Sequence, residues 1–163
     1  MPSSLATNGI LYGGSTTAVQ QLTNGGAYGV LSGDALGVPS FNTSKVTAMS
    51  GMFEYCGRLQ YVPTFDTSNV TTMTSMFIGC SSLQNLPSFN TSKVTDLSSF
   101  CNGCVSIPEI PSSFDMSKNT TLYHSFTSCF RLKTVPSWNI ANVTNAWRCF
   151  SGCTSLQQVI LTG

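Results

Sequence analysis

From Val38 onward the apolar residues of this chain return in ladders, each rung 24 or 25 residues after the last. One ladder is Val38, Val62, Leu86, Ile110, Val135 and Val159; another is Phe41, Phe65, Phe89, Phe114 and Trp138. Val46, Val70, Val94 and Val143 follow, then Met49, Met73, Leu97 and Leu122, then Phe53, Phe77, Phe126 and Phe150. Leu59, Leu83, Ile107, Leu132 and Leu156 close each unit, and Pro39, Pro63, Pro87, Pro111 and Pro136 mark one further position. The units are 38–61, 62–85, 86–109, 110–134 and 135–158, the longer fourth unit carrying an added serine at Ser112-Ser113. A fixed period of this length is the mark of a stacked repeat, in which no unit buries its apolar face alone.

Two periods alternate inside a unit. Val70, Met73, Met76, Phe77 and Cys80 fall at i, i+3, i+6, i+7 and i+10, which predicts a short amphipathic helix. Asp66-Thr67-Ser68 before it, and Asn42, Asn90 and Asp115 in other copies, have N-cap chemistry, while Gly79 and Gly103 stand where a helix should stop. The Leu83–Leu86 stretch is too short for a helix and is cut off by Pro87, which suits a brief strand. The pattern predicts an α/β leucine-rich-repeat-type solenoid of five strand-turn-helix units spanning 38–163, with the strands in a parallel sheet and the helices behind it.

Residues 1–37 do not carry the repeat. Gly13-Gly14, Asn24-Gly25-Gly26 and Gly33-Asp34 separate short apolar runs at 10–12, 18–22 and 28–31, which predicts a short β-rich module. The start of the chain has no basic segment followed by an apolar stretch of about 7–15 residues, the pattern of a secretory signal. At the other end, Val159-Ile160-Leu161 is expected to begin a sixth strand, an open edge suited to docking onto another subunit.

Two resemblances follow from these residues. NTSKVTAMSGMFEYC (42–56), DTSNVTTMTSMFIGC (66–80) and FNTSKVTDLSSFCNGC (89–104) resemble the BspA-like family of bacterial surface leucine-rich repeats. Copies four and five depart from that signature: Asn119 stands at the valine position, Ser125 and Cys149 at the second methionine, and Ala146 at the first. The resemblance implies a surface-exposed, adhesive or interaction-mediating protein without catalytic activity. Gly9-Ile10-Leu11-Tyr12-Gly13, Ala18-Val19, Leu22, Gly29-Val30-Leu31, Ser32-Gly33, Gly37 and Pro39-Ser40-Phe41 are similar to a linker module of phage tail-fibre proteins. That similarity implies attachment within a fibre, commonly a trimer.

Composition narrows the function classes. Only 8% of residues are charged and the net charge is +1, so the basic footprint of a nucleic-acid or anionic-membrane binder is missing. No apolar run approaches the roughly 18 residues of a membrane span. Seven cysteines are present, and five of them (Cys56, Cys80, Cys104, Cys129, Cys153) share one repeat position, forming a ladder of buried thiols rather than a set of disulfide pairs. Cys101 and Cys149 replace apolar residues of the repeat, and local pairs Cys101–Cys104 and Cys149–Cys153 are the alternative to free thiols there.

Candidate chemistry is sparse. His124 is the sole histidine, and the six carboxylates include no close pair in sequence. Asp66 and Asp115 alternate with Asn42, Asn90 and Asn139 at one position, so a helix-capping role accounts for them without a metal. No cofactor, no metal and no enzymatic activity are expected. Asn42, Asn69, Asn90, Asn119 and Asn142 each begin an N-x-S/T sequon, usable only in a glycosylating host. The residues that break the repeat are the candidates for binding. Tyr61, Gln84, Asn85, Lys133, Thr134 and Gln157 are expected on one face beside the strands, and Tyr123 and Trp147 on the helical face. Tyr55 and Phe130 are further irregular aromatics. The expected function is non-enzymatic surface recognition or adhesion: a phage tail-fibre or virion-surface component presenting its repeats to a protein or glycan receptor on a cell. The alternative is a bacterial cell-surface adhesin or a self-assembling extracellular filament. Either would be extracellular or virion-exposed and a homo-oligomer or part of a larger assembly.

Overall fold

The structure, a computed structural model, describes residues 42–163. The expected N-terminal module at 1–37, with its three short strands, and the first rungs at 38–41 lie outside the described residues.

Within 42–163 the repeat is a parallel stack of coils in register, and the register follows the sequence period. Ala48, Thr72, Asp96, Thr121 and Asn145 bridge in succession along one edge, and Glu109, Thr134 and Gln158 along another. The two edges require the chain to circle once per unit, so each 24- or 25-residue copy is one coil. The only extended strands among the described residues are β1 (Trp138–Asn139) and β2 (Leu161–Thr162), which pair in parallel. No helix forms among the described residues. The α/β strand-turn-helix solenoid of leucine-rich-repeat type is therefore overturned.

The segment expected to be helical shows why. Met49, Gly51, Phe53 and Tyr55 donate their amides to Thr72, Thr74, Met76 and Ile78 of the next coil at 2.7–3.0 Å. The amides between them turn back on their own coil: Met52 donates to Met49, Glu54 to Gly51 and Cys56 to Phe53. A helix would spend all of these donors on carbonyls four residues back. Here every second donor is spent on the neighbouring coil. That alternation needs a left-handed residue at every fourth position, and the chain supplies two per coil: Gly51 and Tyr55, Ser75 and Gly79, Ser99 and Gly103, His124 and Ser128, Arg148 and Gly152. The segment is thus a chain of β-turns. Its apolar pairs face inward just as a helical stripe would, and Val70, Met73, Met76, Phe77 and Cys80 are all fully buried. Helices about 10 Å wide would also force apart coils whose bridged edges sit ~4.8 Å apart.

The expected N-caps cap turns instead. Asn42, Asp66, Asn90, Asp115 and Asn139 each accept, through a side-chain oxygen, the amide two residues on. A β-turn follows at once, with Val46 donating to Thr43, Val70 to Thr67 and Val94 to Thr91. The buried hydroxyls of Thr43, Thr67 and Thr91 then donate across to the carbonyls of Asp66, Asn90 and Asp115. A second threonine column sits beside this corner. Thr71, Thr95, Thr120 and Thr144 each give both amide and hydroxyl to the carbonyl of the equivalent threonine in the previous coil.

Two aromatic columns fill the interior. Phe53, Phe77, Phe100, Phe126 and Phe150 form one, with centroids 5.4–6.1 Å apart along the stack. Phe65, Phe89, Phe114 and Trp138 form the other and pack across onto the first. The third coil has Cys101 where its neighbours have phenylalanine, and Phe100, one residue earlier, fills the gap with its ring edge-on to Phe77 at 85°. Each buried ring contributes on the order of 1.5–3 kcal/mol.

One rung conflicts with its surroundings. Asn119 occupies the valine position, is fully buried, and neither its amide nitrogen nor its carbonyl oxygen has a partner. Such a group costs about 1–3 kcal/mol. Asn119→Val should therefore raise the urea midpoint by an equivalent amount, and a lowered midpoint would show that the amide is satisfied in solution.

Candidate recognition surface

The cysteine ladder is the most regular chemical feature, and its geometry is structural. None of the seven cysteines is in a disulfide. Cys80 donates its thiol to the carbonyl of Phe53, Cys104 to Phe77, Cys129 to Cys101 and Cys153 to Phe126, at 2.9–3.2 Å. Ser125 does the same to Leu97 from a different position in its coil. A small side chain with a weak donor is what this position requires, since it reaches a buried carbonyl on the neighbouring coil. Burial pushes the Cys56 thiol up to about 11 and the Cys149 thiol to about 12, and raises Cys80 and Cys101 well above the ordinary thiol value. Such thiols are poor nucleophiles.

The polar turns carry no convergent chemistry either. Hydrogen bonds from the hydroxyl and amide of Ser68 hold the exposed Asp66 carboxyl below its usual range, and Ser117 does the same for Asp115. Among the described residues no three His, Cys, Asp or Glu side chains come together as a metal site. Of the sequon asparagines, Asn69 and Asn142 donate their side-chain amides to Ser44 and Ser117 of the preceding coil, and Asn119 is inaccessible.

The two groups of candidate binding residues separate clearly. Tyr61 and Asn85 hold equivalent places on consecutive coils, and Gln84 donates its amide to Gln60. Lys133 donates to Pro108, Thr134 bridges Glu109 and Gln158, and Gln157 donates to Lys133. These residues therefore line one edge, though Pro108 and Glu109 of the third coil stand between Tyr61, Gln84 and Asn85 on one side and Lys133, Thr134 and Gln157 on the other. Tyr55 lies elsewhere. It is 71% exposed, and its ring lies across Gly79, where an added Cβ would come within 2.5 Å of it.

Tyr123 and Trp147 come together. They hold the same position on the fourth and fifth coils, 42% and 62% exposed, and the neighbouring amide of His124 donates to the carbonyl of Trp147 at 2.9 Å. Each aromatic is followed by a cationic or protonatable residue, His124 and Arg148. The imidazole stands edge-on to Tyr123 with centroids 4.4 Å apart, and the Arg148 guanidinium lies 5.7 Å from the Trp147 ring centroid. Thr127 ties the pair together, its hydroxyl donating to the Arg148 carbonyl at 2.7 Å and lying 3.2 Å from His124 Nδ1. The first three coils carry only Ser50-Gly51, Thr74-Ser75 and Ser98-Ser99 at these two positions. His124 is not among the residues that the repeat pattern singles out, and Arg148 stands out only as part of the irregular pair Trp147-Arg148. Their signal is the paired change of both positions in both coils, a small polar dipeptide becoming an aromatic followed by a nitrogen-bearing side chain twice.

The sequence matches the profile of a family described as "Mycoplasma protein of unknown function, DUF285", over residues 32–137 and again over 57–162. The chain belongs to this family. The two overlapping matches, offset by 25 residues, register one profile against successive sets of the same coils. Family membership agrees with a BspA-like surface repeat protein and supplies no activity. No curated protein and no solved structure matches the chain.

The thiols yield a prediction with a definite sign. In the folded state burial raises the Cys56, Cys80 and Cys149 thiols above the ordinary value near 9, so at these positions the unfolded chain releases protons first as pH rises. Their contribution is complete below about pH 8.5 and is lost above it, as the pH climbs toward their folded values. The urea midpoint should fall between about pH 8 and pH 10, and this fall should shrink in Cys80→Ser. An unchanged midpoint across that range would contradict burial of the ladder.

Proposed function

We propose that this protein is a non-enzymatic recognition or adhesion component of a cell or virion surface. The observation that carries the reading is where the coils differ from one another. The inward positions and turn corners repeat, whereas the bulky departures (Tyr61, Tyr123, Phe130, Trp147) are exposed. A stack of near-identical coils is a rigid frame, and variable outward positions on such a frame make an extended binding face. Exposed Tyr, Trp and Arg are the residue types that dominate binding energetics. The similarity to BspA-like surface repeats supports the same reading. Attachment to a phage tail fibre rests on the resemblance of the N-terminal residues alone.

Fluorescently labelled protein should bind intact cells of a susceptible type saturably and be displaced by unlabelled protein. Absence of saturable binding on every cell type tried would sink the recognition reading.

A further inference from the structure

We propose that the face formed by Tyr123, His124, Trp147 and Arg148 binds a carboxylated sugar residue, an inference that rests on the recognition reading and gives it a ligand class. Two exposed aromatic residues occupy equivalent positions on adjacent coils. They offer aromatic surface to the apolar C–H face of a pyranose ring. Arg148 brings a planar fork of donors suited to a carboxylate, and its guanidinium lies over the Trp147 ring, 5.7 Å from the centroid, so cation and aromatic are presented together. His124 adds a second nitrogen group on the neighbouring coil, positioned by Tyr123 and Thr127.

The surroundings select among anionic ligands. Beside the aromatic pair, exposed Asn145, at the end of the bridged row Asp96, Thr121 and Asn145, supplies a neutral hydrogen-bonding group suited to a sugar hydroxyl. The side-chain oxygen of exposed Asn145 accepts the Trp147 amide, which leaves its NH2 group free to donate. Asp96, one coil further, places a carboxylate at the end of that row, where it accepts the Ser98 amide at 2.8 Å. A polyanion laid along the stack would meet this charge, as a single carboxylate held at Arg148 would not. The chain's net charge of +1 points the same way, since a polyanion binder needs a broad basic field.

The site comes at a conformational cost that only the first coil avoids with glycine. His124 and Arg148 both sit at φ 55°, in the left-handed region that Gly51 fills in the first coil. Large side chains are disfavoured there.

The test is retention of the protein on immobilised oligosaccharides ending in sialic acid, in glucuronic acid or in neutral galactose, alongside single-stranded DNA. Unmodified protein should prefer both acidic sugars over galactose and DNA. Trp147→Ala should weaken retention roughly ten-fold or more. Arg148→Gln, which leaves the aromatic pair in place, should abolish the preference for acidic over neutral sugars. Tyr55→Ala, on the first coil, should bind as the unmodified protein does, and thermal melts of all variants confirm folding. Equal retention on galactose, stronger retention on DNA, or indifference to both Trp147→Ala and Arg148→Gln would overturn the proposal. Saturable cell binding that persists without any sugar retention would overturn this ligand assignment and leave the recognition reading standing. Loss of both would overturn the two together.

Discussion

The alternation of amide donors within the turn segment is the constraint on which everything else depends. One N–H closes a turn, the next reaches the neighbouring coil, and the pattern repeats four times between each pair of neighbouring coils. This satisfies the backbone without helix or long strand, an outcome that a buried backbone demands. It also fixes the register between coils, because a slip of one residue would exchange the two sets of donors. The cost is a left-handed residue at every fourth position, met mostly by glycine and serine. The core follows from the register. Equivalent side chains lie above one another, so a phenylalanine at one position becomes a column of rings and a cysteine becomes a ladder of thiols.

Much of this is legible in the amino-acid sequence. The ladders Val46–Val70–Val94 and Phe65–Phe89–Phe114 give the coil length and the buried face, and the described core contains them. The backbone conformation departs from the expected helix for a physical reason. The spacing of Met73, Met76, Phe77 and Cys80 suits a helix and a chain of β-turns equally, since both return to one face after three or four residues. What discriminates them is the small residue at every fourth position, Ser75 and Gly79 or Ser99 and Gly103, together with a shortage of strong helix formers. As a helix stop, Gly79 would have the right left-handed geometry in the wrong element. The caps behave in the same way: the side chain of Asp66 caps a turn, and no helix follows it.

The surface is legible in part. Tyr123 and Trp147 stand out as departures from the repeat, and their shared position places them on adjacent coils. The importance of His124 and Arg148 is not visible from single residues. It emerges once the hydrogen bond from the His124 N–H to the Trp147 carbonyl sets the two dipeptides side by side. The same stacking that makes the core monotonous makes any change on the outside additive, because two neighbouring substitutions create one surface. A frame of this kind can vary its outward positions while the turn corners and columns stay constant.

The backbone of the turn segment is what the stacked-coil architecture stands or falls on, and residue-specific NMR measures it directly. Carbon chemical shifts and three-bond couplings should place Ser75, Ser99 and His124 in the left-handed region, with no continuous helical run between Val70 and Cys80. A run of helical shifts across those residues would contradict the stacked turns and, with them, the adjacency on which the proposed site is built.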